Sequence, residues 1–470
     1  MNIFDEIAAR AESGRTAVVT EGARVTFGEL LARAETVAEW LRAAPGFVSS
    51  GVPRVGLACD NGLDHIVLAL GILKAGGCLV PVADELTEAE RAEVIERTGL
   101  HGVVIGAREK WRPGEEAGDR ESASQACWVP LSTPPFEHEE EFAALSPAFI
   151  RFSSGTTGRS KGVVMSHRTL LDRITTANQV LQIGPEDRVL WMLPMAHHFA
   201  VSIVLYLYFG ACTVVGDSHL AADVLALAEK ERATVIYGAP FHHALLAAEG
   251  GSFRWPTLRL AISTAAALTR ATAEAFRSRY DRPLVQGMGI IEVGLPLLNF
   301  EGAIDSPDAV GEPVPGFEVD LRAGELWLRG PGMFDAYVSP WQPASEVKRD
   351  GWFATGDLAE CDAAGRIFLR GRTKSVLNVG GMKVFPEEVE AVLDRHPSVK
   401  RSRVIGREHP VLGTVPVAEI VASNGAISPR DLKAWCRESL SAYKVPVAFK
   451  QVDAVPLTAS GKVRRENPKS

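Results

Sequence analysis

Positive charge is in short supply in this 470-residue chain: 50 Lys and Arg stand against 58 Asp and Glu, a formal net charge of −8. No long basic run offsets that balance. A nucleic-acid or anionic-membrane surface is therefore not expected, although a local basic patch around a small anion is allowed. Cysteine is sparse too. Cys59, Cys78, Cys127, Cys212, Cys361 and Cys436 include no Cys-x-x-Cys pair, which fits inert thiols in a reducing compartment and no structural zinc. The amino terminus, Met1-Asn-Ile-Phe-Asp-Glu, has two acids where a signal peptide has basic residues, so a cytoplasmic location is expected. The one long apolar run, Phe199 to Gly216, reaches only the minimum of about 18 residues for a membrane span. Ser202, Gly210, Cys212 and Thr213 lie within it. It reads better as a buried helix, Ala200 to Phe209, followed by a buried strand, Cys212 to Val215. Internal repeats and low-complexity tracts are missing.

What is present is the composition of a soluble globular protein, 46% hydrophobic and 23% charged. Over the first 370 residues helical and strand patterns alternate. Thr26 is a plausible N-cap, and Glu29, three residues later, completes a capping box for a helix running to about Leu41. Arg54 to Ala58 reads as a short buried strand, His65 to Ala75 as an apolar helix ended by Gly76-Gly77, and Cys78 to Val82 as the next strand. This β-α-β rhythm predicts an α/β fold of parallel sheets covered by helices. Gly311 to Val338 reads as strands and turns. A smaller α+β unit follows, with helices at Pro386 to His396 and Pro429 to Leu440 and strands at Val399 to Ile405 and Val415 to Val421. The expected organisation is a large domain over 1–370, a connector at 371–375 and a small domain over 376–470.

The strongest chemical signal is Phe152-Ser-Ser-Gly-Thr-Thr-Gly-Arg-Ser-Lys-Gly162. Its glycines let backbone N–H groups approach an anion, and its hydroxyls and ammonium add donors, a combination suited to a polyphosphate. It is not a Walker A loop, because the Gly-x-x-x-x-Gly-Lys-[Ser/Thr] string is absent. A flexible surface linker would share this composition, but Ala148-Phe-Ile before it and Val163-Val-Met after it place the loop between structured elements.

With its companions the loop resembles the phosphate loop of the adenylate-forming superfamily of acyl-CoA synthetases, adenylation domains and beetle luciferases. Pro194-Met-Ala-His-His-Phe, Gln286-Gly-Met-Gly-Ile-Ile-Glu292, Gly311-Glu-Pro-Val-Pro-Gly, Gly324-Glu-Leu-Trp-Leu-Arg-Gly-Pro and Trp352-Phe-Ala-Thr-Gly-Asp357 are similar to further segments of that family. So are Gly371-Arg-Thr-Lys, Val379-Gly-Gly-Met-Lys-Val-Phe-Pro-Glu-Glu-Val-Glu390 and Pro456-Leu-Thr-Ala-Ser-Gly-Lys462. All come in the family's order from about residue 17 to 465, nearly the whole chain. Acyl-CoA synthetases are the most similar members.

The resemblance implies a large N-terminal domain with a small β-barrel-like subdomain, and a small mobile C-terminal domain. It implies ATP-dependent activation of a carboxylic acid to acyl-AMP with release of pyrophosphate, then transfer to the thiol of coenzyme A. Ser153, Ser154, Gly155, Thr156, Thr157, Gly158 and Lys161 would grip the phosphates. Gly287, Met288, Gly289 and Ile291 would lie along the nucleotide. Glu292 would hold Mg²⁺, a role suited to a hard oxygen ligand. Asp357 would accept hydrogen bonds from the ribose hydroxyls, Arg372 would contact the nucleotide, and Lys462 would bridge carboxylate and phosphate oxygens. In isolation Asp357 would read as a turn acid and Lys462 as a surface lysine; the motifs around them give them their roles. His197, Tyr237, Ala265 and Ala266 would line the acyl pocket. Lys374 would be the hinge, and Gly380 and Gly381 would border a tunnel for the pantetheine thiol. His198, His242 and His243 have no comparable support.

The chain departs from the family in three places. Met288 stands where a Tyr stacks on adenine, and a flexible thioether can still cover a ring face. Ile291 replaces a Thr whose hydroxyl contacts phosphate, a hydrogen bond worth about 1–3 kcal/mol. Ala265-Ala266-Ala267 replaces Gly-Ala-Pro. Together they permit a displaced acyl-adenylate pose or an unusually shaped acid, and the three alanines suggest room for a bulky or hydrophobic acyl group. Glu292, Asp357 and Lys462 are retained, so the expectation is an active enzyme. Two alternatives stay open: a ligase that loads a carrier-protein phosphopantetheine, and a non-catalytic nucleotide-binding relative. The identity of the acid is not readable, and a homodimer is a family-level expectation only.

Overall fold

The computed structural model describes residues 1–47, 51–83, 86, 88–107, 126–132, 136–152, 161–375, 377–379, 382–409, 413–457 and 463. They fall into two compact units. One draws on Met1–Ser153, Lys161–Glu318 and Arg329–Gly351, the other on Val319–Leu328 and Trp352–Ser470.

The first unit is α/β, as the β-α-β rhythm predicts. Its helix Phe27–Ala43 starts where expected. The Thr26 hydroxyl accepts the Glu29 N–H at 3.2 Å and Glu29 Oε2 accepts the Thr26 N–H at 2.9 Å, a complete capping box that satisfies two otherwise orphaned donors. Phe27, Leu30, Ala34, Ala38 and Leu41 form its buried stripe, which packs on the helix Leu63–Ala75.

Two sheets form the scaffold. In the nine-stranded sheet, Leu284–Ile290, Leu260–Ser263, Val235–Gly238, Arg188–Trp191, Cys212–Val215 and Thr16–Val19 lie side by side and parallel. Gly294–Leu298 runs antiparallel to Leu284–Ile290, with Glu312–Pro313 beyond it. The eight-stranded sheet has Gly102–Ile105, Arg54–Ala58, Cys78–Pro81 and Pro147–Phe152 as its parallel centre, and Gly162–Ser166 and Ala336–Val338 continue it antiparallel. All residues of Val235–Gly238, Leu260–Ser263 and Arg54–Ala58 are buried. Strands covered on both faces need continuous apolar runs rather than alternation. The apolar run after His198 opens with a π-helical turn, Phe199–Ile203, continues as the α-helix Val204–Tyr208 and ends in the buried strand Cys212–Val215. None of the described helices is long and apolar enough to cross a membrane.

In the second unit, Phe353–Cys361 pairs antiparallel with Glu325–Arg329 and with Ile367–Arg372. A separate sheet joins Val399–His409, Gly413–Ala422, Leu377–Val379 and Met382–Val384, with Ala448–Gln451 parallel to Gly413–Ala422. The helices Pro386–Leu393 and Pro429–Ser439 share its core, which includes Val384, Val389, Leu393, Val404, Ala418, Ile420, Leu432 and Cys436.

Two core histidines give the first unit an acid-sensitive stability. His65 Nδ1 lies 3.0 Å from the Cys59 carbonyl and His243 Nε2 lies 3.0 Å from the Ile262 carbonyl. The other ring nitrogens, His65 Nε2 and His243 Nδ1, are buried with no hydrogen-bond partner among the described residues. Protonation would bury a charge and an unpaired N–H. Burial accordingly pushes both rings from 6.5 down to about 4, against the raising effect of the carbonyls. The unfolded chain thus binds more protons between these values. Stability is fully present above 6.5 and falls with pH toward about 4, by about 1.4 kcal/mol per pH unit for each ring. Urea midpoints at about pH 7 and about pH 5 check this; equal midpoints would contradict it.

Candidate active site

Open parallel sheets offer ligands a crevice beyond the carboxyl ends of their strands. In the nine-stranded sheet Trp191, Tyr237 and Ser263 stand near those ends. Tyr237 and Trp191 are register partners on adjacent parallel strands, so their side chains leave the sheet on the same face. The rings stack, with centroids 5.8 Å apart and planes 10° apart. His198 meets both edge-on, at 5.9 Å and 6.2 Å, and Tyr206 meets Trp191 at 6.1 Å. Burial raises the pKa of the Tyr237 hydroxyl, with hydrogen bonding to Thr264 and Ser202 acting in the opposite sense, so it stays protonated as a donor.

Tyr237 therefore belongs to a four-ring aromatic cluster that chain order did not reveal. His197, next to His198 in sequence, is half-buried, and its carbonyl accepts a hydrogen bond from the Arg151 guanidinium. Ala265 is half-buried and Ala266 exposed. Ala265 takes φ +70, the left-handed region where a Cβ costs about 1–2 kcal/mol, at the position where the related motif has glycine.

Glu292 sits in the tight connection between Leu284–Ile290 and Gly294–Leu298, where the Val293 N–H donates to the Ile290 carbonyl at 3.0 Å. Its backbone carbonyl accepts the Phe334 N–H at 2.8 Å. Its Oε1 accepts the Tyr337 hydroxyl at 3.1 Å. Upstream, Met288 is buried opposite Leu297, Gly287 accepts the Thr264 hydroxyl at 3.1 Å through its carbonyl, and Ile291 is half-buried at the connection. Lys161 is exposed, with its ammonium 4.2 Å from the centroid of the Tyr337 ring.

Arg173 is the charged residue that sequence reading missed beside this group. It lies on the buried face of the helix His167–Leu181 among Leu170, Ile174 and Ala177, and that charge on an apolar stripe was the available signal. Its Nε donates to the Gly332 carbonyl at 2.5 Å. A Cβ on Gly332, at φ +66, would lie 2.7 Å from Arg173 Cγ and 2.8 Å from its backbone nitrogen, so only glycine allows this approach. Burial pushes the guanidinium down to about 10, against the opposing pull of Asp335 and Glu292. It remains a cation at neutral pH, with Nη1 and Nη2 buried and without a hydrogen-bond partner among the described residues.

In the second unit Asp357 and Arg372 are register partners, and Arg372 Nε lies 2.9 Å from Asp357 Oδ1. Asp357 is buried, and its backbone N–H donates to the Thr355 hydroxyl at 3.0 Å. Two residues expected to meet the nucleotide separately are thus an ion pair. Lys374 lies in the 3-10 turn Thr373–Ser375. Ser153, Ser154, Gly155, Thr156, Thr157, Gly158, Gly380, Gly381 and Lys462 lie outside the described residues. His242 and His243 are buried core residues; His242 Nδ1 accepts the Ala239 N–H at 3.1 Å.

No group of three or more His, Cys, Asp or Glu among the described residues could hold a metal ion. A magnesium ion that travels with ATP does not need such a cage, because one or two carboxylates and the phosphate oxygens suffice. The half-buried Glu292 carboxylate, anchored at one oxygen by a hydroxyl, fits that mode.

Comparison with known proteins agrees in one direction. A family model described as AMP-binding enzyme matches residues 4–338, and one described as AMP-binding enzyme C-terminal domain matches residues 388–462. A methyl-dioxo-octahydroindenyl propanoyl:CoA ligase of Mycobacterium tuberculosis is 30% identical, covering 96% of this chain and 94% of that protein. A naringenin synthase of Pestalotiopsis fici is 29% identical over 96% of this chain, which spans 18% of that protein's length. Among solved structures, ATP-bound MatB from Rhodopseudomonas palustris superposes with a TM-score of 0.81 at 25% identity, covering 99% of this chain and 97% of that one.

Proposed function

This chain belongs to the AMP-binding enzyme family, and on that premise we propose that it is an ATP-dependent, AMP-forming acid–thiol ligase. A carboxylate oxygen of the acid attacks the α-phosphorus of ATP and the bond to the β-phosphate breaks, giving acyl-AMP and pyrophosphate. The thiol of coenzyme A, losing its proton, then attacks the acyl carbon, and AMP leaves. The observation that carries this reading is the Glu292 carboxylate, fixed by the Tyr337 hydroxyl next to the ring that Lys161 covers.

Bringing a carboxylate to a polyphosphate sets anion against anion, so the enzyme's task is charge neutralisation and alignment. Lys161, with the hydroxyls and N–H groups of 153–158, supplies donors to the phosphates. Glu292 would hold a magnesium ion shared with phosphate oxygens, and that ion would neutralise phosphate charge. Asp357, paired with Arg372, accepts from the ribose hydroxyls. Lys462 bridges the attacking carboxylate and the phosphate. The aromatic cluster of Trp191, His198, Tyr206 and Tyr237 favours an acid with a bulky, largely apolar body. Gly380 and Gly381 give the thiol its approach, and residues 376–470 change orientation about Lys374 between the two steps.

Pyrophosphate release from MgATP over a panel of aliphatic, aromatic and polycyclic acids, with and without coenzyme A, tests the reading. Release that depends on one class of bulky acid and yields a coenzyme A thioester is the expected result. Adenylate formed but not passed to coenzyme A would point to a carrier-protein acceptor. Silence across the panel from folded protein would overturn catalysis.

A further inference from the structure

We propose that Tyr337 is a positioning residue that sets both Glu292 and Lys161, so that the metal-binding carboxylate and the phosphate-loop ammonium are aligned by one ring. The proposal rests on the reading of Glu292 as the magnesium ligand. Three features of the first unit lead to it.

The first is register. Tyr337 pairs with Val163 across antiparallel strands. Lys161 lies two residues before Val163, and side chains two apart on an extended segment share a face. The sheet therefore delivers the Lys161 ammonium to the Tyr337 ring, 4.2 Å from its centroid.

The second is the hydroxyl. It donates to Glu292 Oε1 at 3.1 Å. An ionised carboxylate oxygen can only accept, so the phenol is the donor and the bond has one direction. An ionised carboxylate offers about four lone-pair sites, and a single O–H at Oε1 leaves capacity for a cation.

The third is rigidity. Tyr337 is only 4% exposed, and its ring packs against Phe334 with centroids 4.7 Å apart. Phe334 in turn fixes the Glu292 backbone through its N–H, at 2.8 Å from the Glu292 carbonyl. Both ends of Glu292 are therefore tied to the segment Phe334–Tyr337. Hydrogen-bonded groups behind metal ligands commonly change metal affinity about 10–100-fold when removed. A solvent-exposed ammonium such as that of Lys161 gains less over a ring, about 0.5–1 kcal/mol, or roughly 2–5-fold.

The test is calorimetric binding of ATP, without acid so that no turnover occurs, over a series of Mg²⁺ concentrations. Tyr337→Phe keeps the ring and removes the hydroxyl. It is expected to raise the Mg²⁺ concentration for half-maximal ATP binding about 10-fold while leaving metal-free ATP binding within about twofold. Tyr337→Leu removes both contacts and is expected to weaken metal-free binding as well, about 2–5-fold. Thermal melting establishes that each variant is folded. Glu292→Gln, measured alongside, separates the two levels. If it shifts the Mg²⁺ dependence and Tyr337→Phe does not, the positioning role is overturned and the metal reading stands. If neither shifts it, both are overturned.

Discussion

Lys462→Ala is expected to lower acid-dependent pyrophosphate release about 10²–10³-fold while sparing thioester formation from supplied acyl-adenylate. The first half-reaction joins two anions, and the ammonium between the attacking carboxylate and the α-phosphate is stabilising chiefly while that bond forms. The second half-reaction starts from an acyl-adenylate in which that repulsion has already been overcome. Lys374→Pro should do the reverse. Lys374 sits in the short turn Thr373–Ser375, directly after the strand whose Arg372 pairs with Asp357. Proline fixes φ near −65° and removes the second backbone state that a swing between steps requires. Pyrophosphate release should persist and thioester formation should fall at least about tenfold. The pair is checked by assaying the two half-reactions separately. Equal slowing of both by Lys462→Ala would remove its assignment to adenylation, and an unchanged thioester rate in Lys374→Pro would remove the hinge.

The fold was legible wherever the signal is local. Thr26 and Glu29 announce their capping box within four residues, and continuous apolar runs such as Val235–Gly238 announce buried parallel strands. The order of motifs was enough to point to the AMP-binding family, because each motif is contiguous. What stayed hidden depends on which strands become neighbours. Trp191 and Tyr237 stack because Arg188–Trp191 lies between Cys212–Val215 and Val235–Gly238, an order no periodicity encodes. Tyr337 reaches Lys161 and Glu292 through a pairing with Val163, far away in sequence. Asp357 and Arg372 were both readable as nucleotide contacts, but their ion pair follows from a hairpin register interrupted by an irregularity. The π-helical turn at Phe199–Ile203 has the same apolar composition as the helix expected there. Arg173 could have been found as a charge on an apolar stripe, but its approach to the Gly332 carbonyl could not.

Gly311→Ala should be the most destabilising single methyl in the first unit. Gly311 has φ +92, and an added Cβ would lie 2.1 Å from the Leu298 carbonyl oxygen, 2.2 Å from its carbon and 2.4 Å from Asn299 Cα. All three are backbone atoms, so no side-chain rotation can relieve the clash. The backbone conformation itself costs an L-residue about 1–2 kcal/mol, and overpacking adds about 1–3 kcal/mol. The strand that would have to give way is Gly294–Leu298, which pairs through Leu298 with Glu312 and through Leu297 with Met288. Its displacement would be felt at the connection that carries Glu292. The expected result is a loss of about 3 kcal/mol or more in unfolding free energy, read as a lower urea midpoint or loss of soluble protein. Any folded fraction should bind MgATP more weakly. Gly250→Ala is the control, because its Cβ would meet nothing within 4 Å and the variant should match the parent. Equal midpoints for Gly311→Ala and the parent would show that the Gly294–Leu298 strand can shift at little cost, and would undercut the claim that this strand holds Glu292 in place.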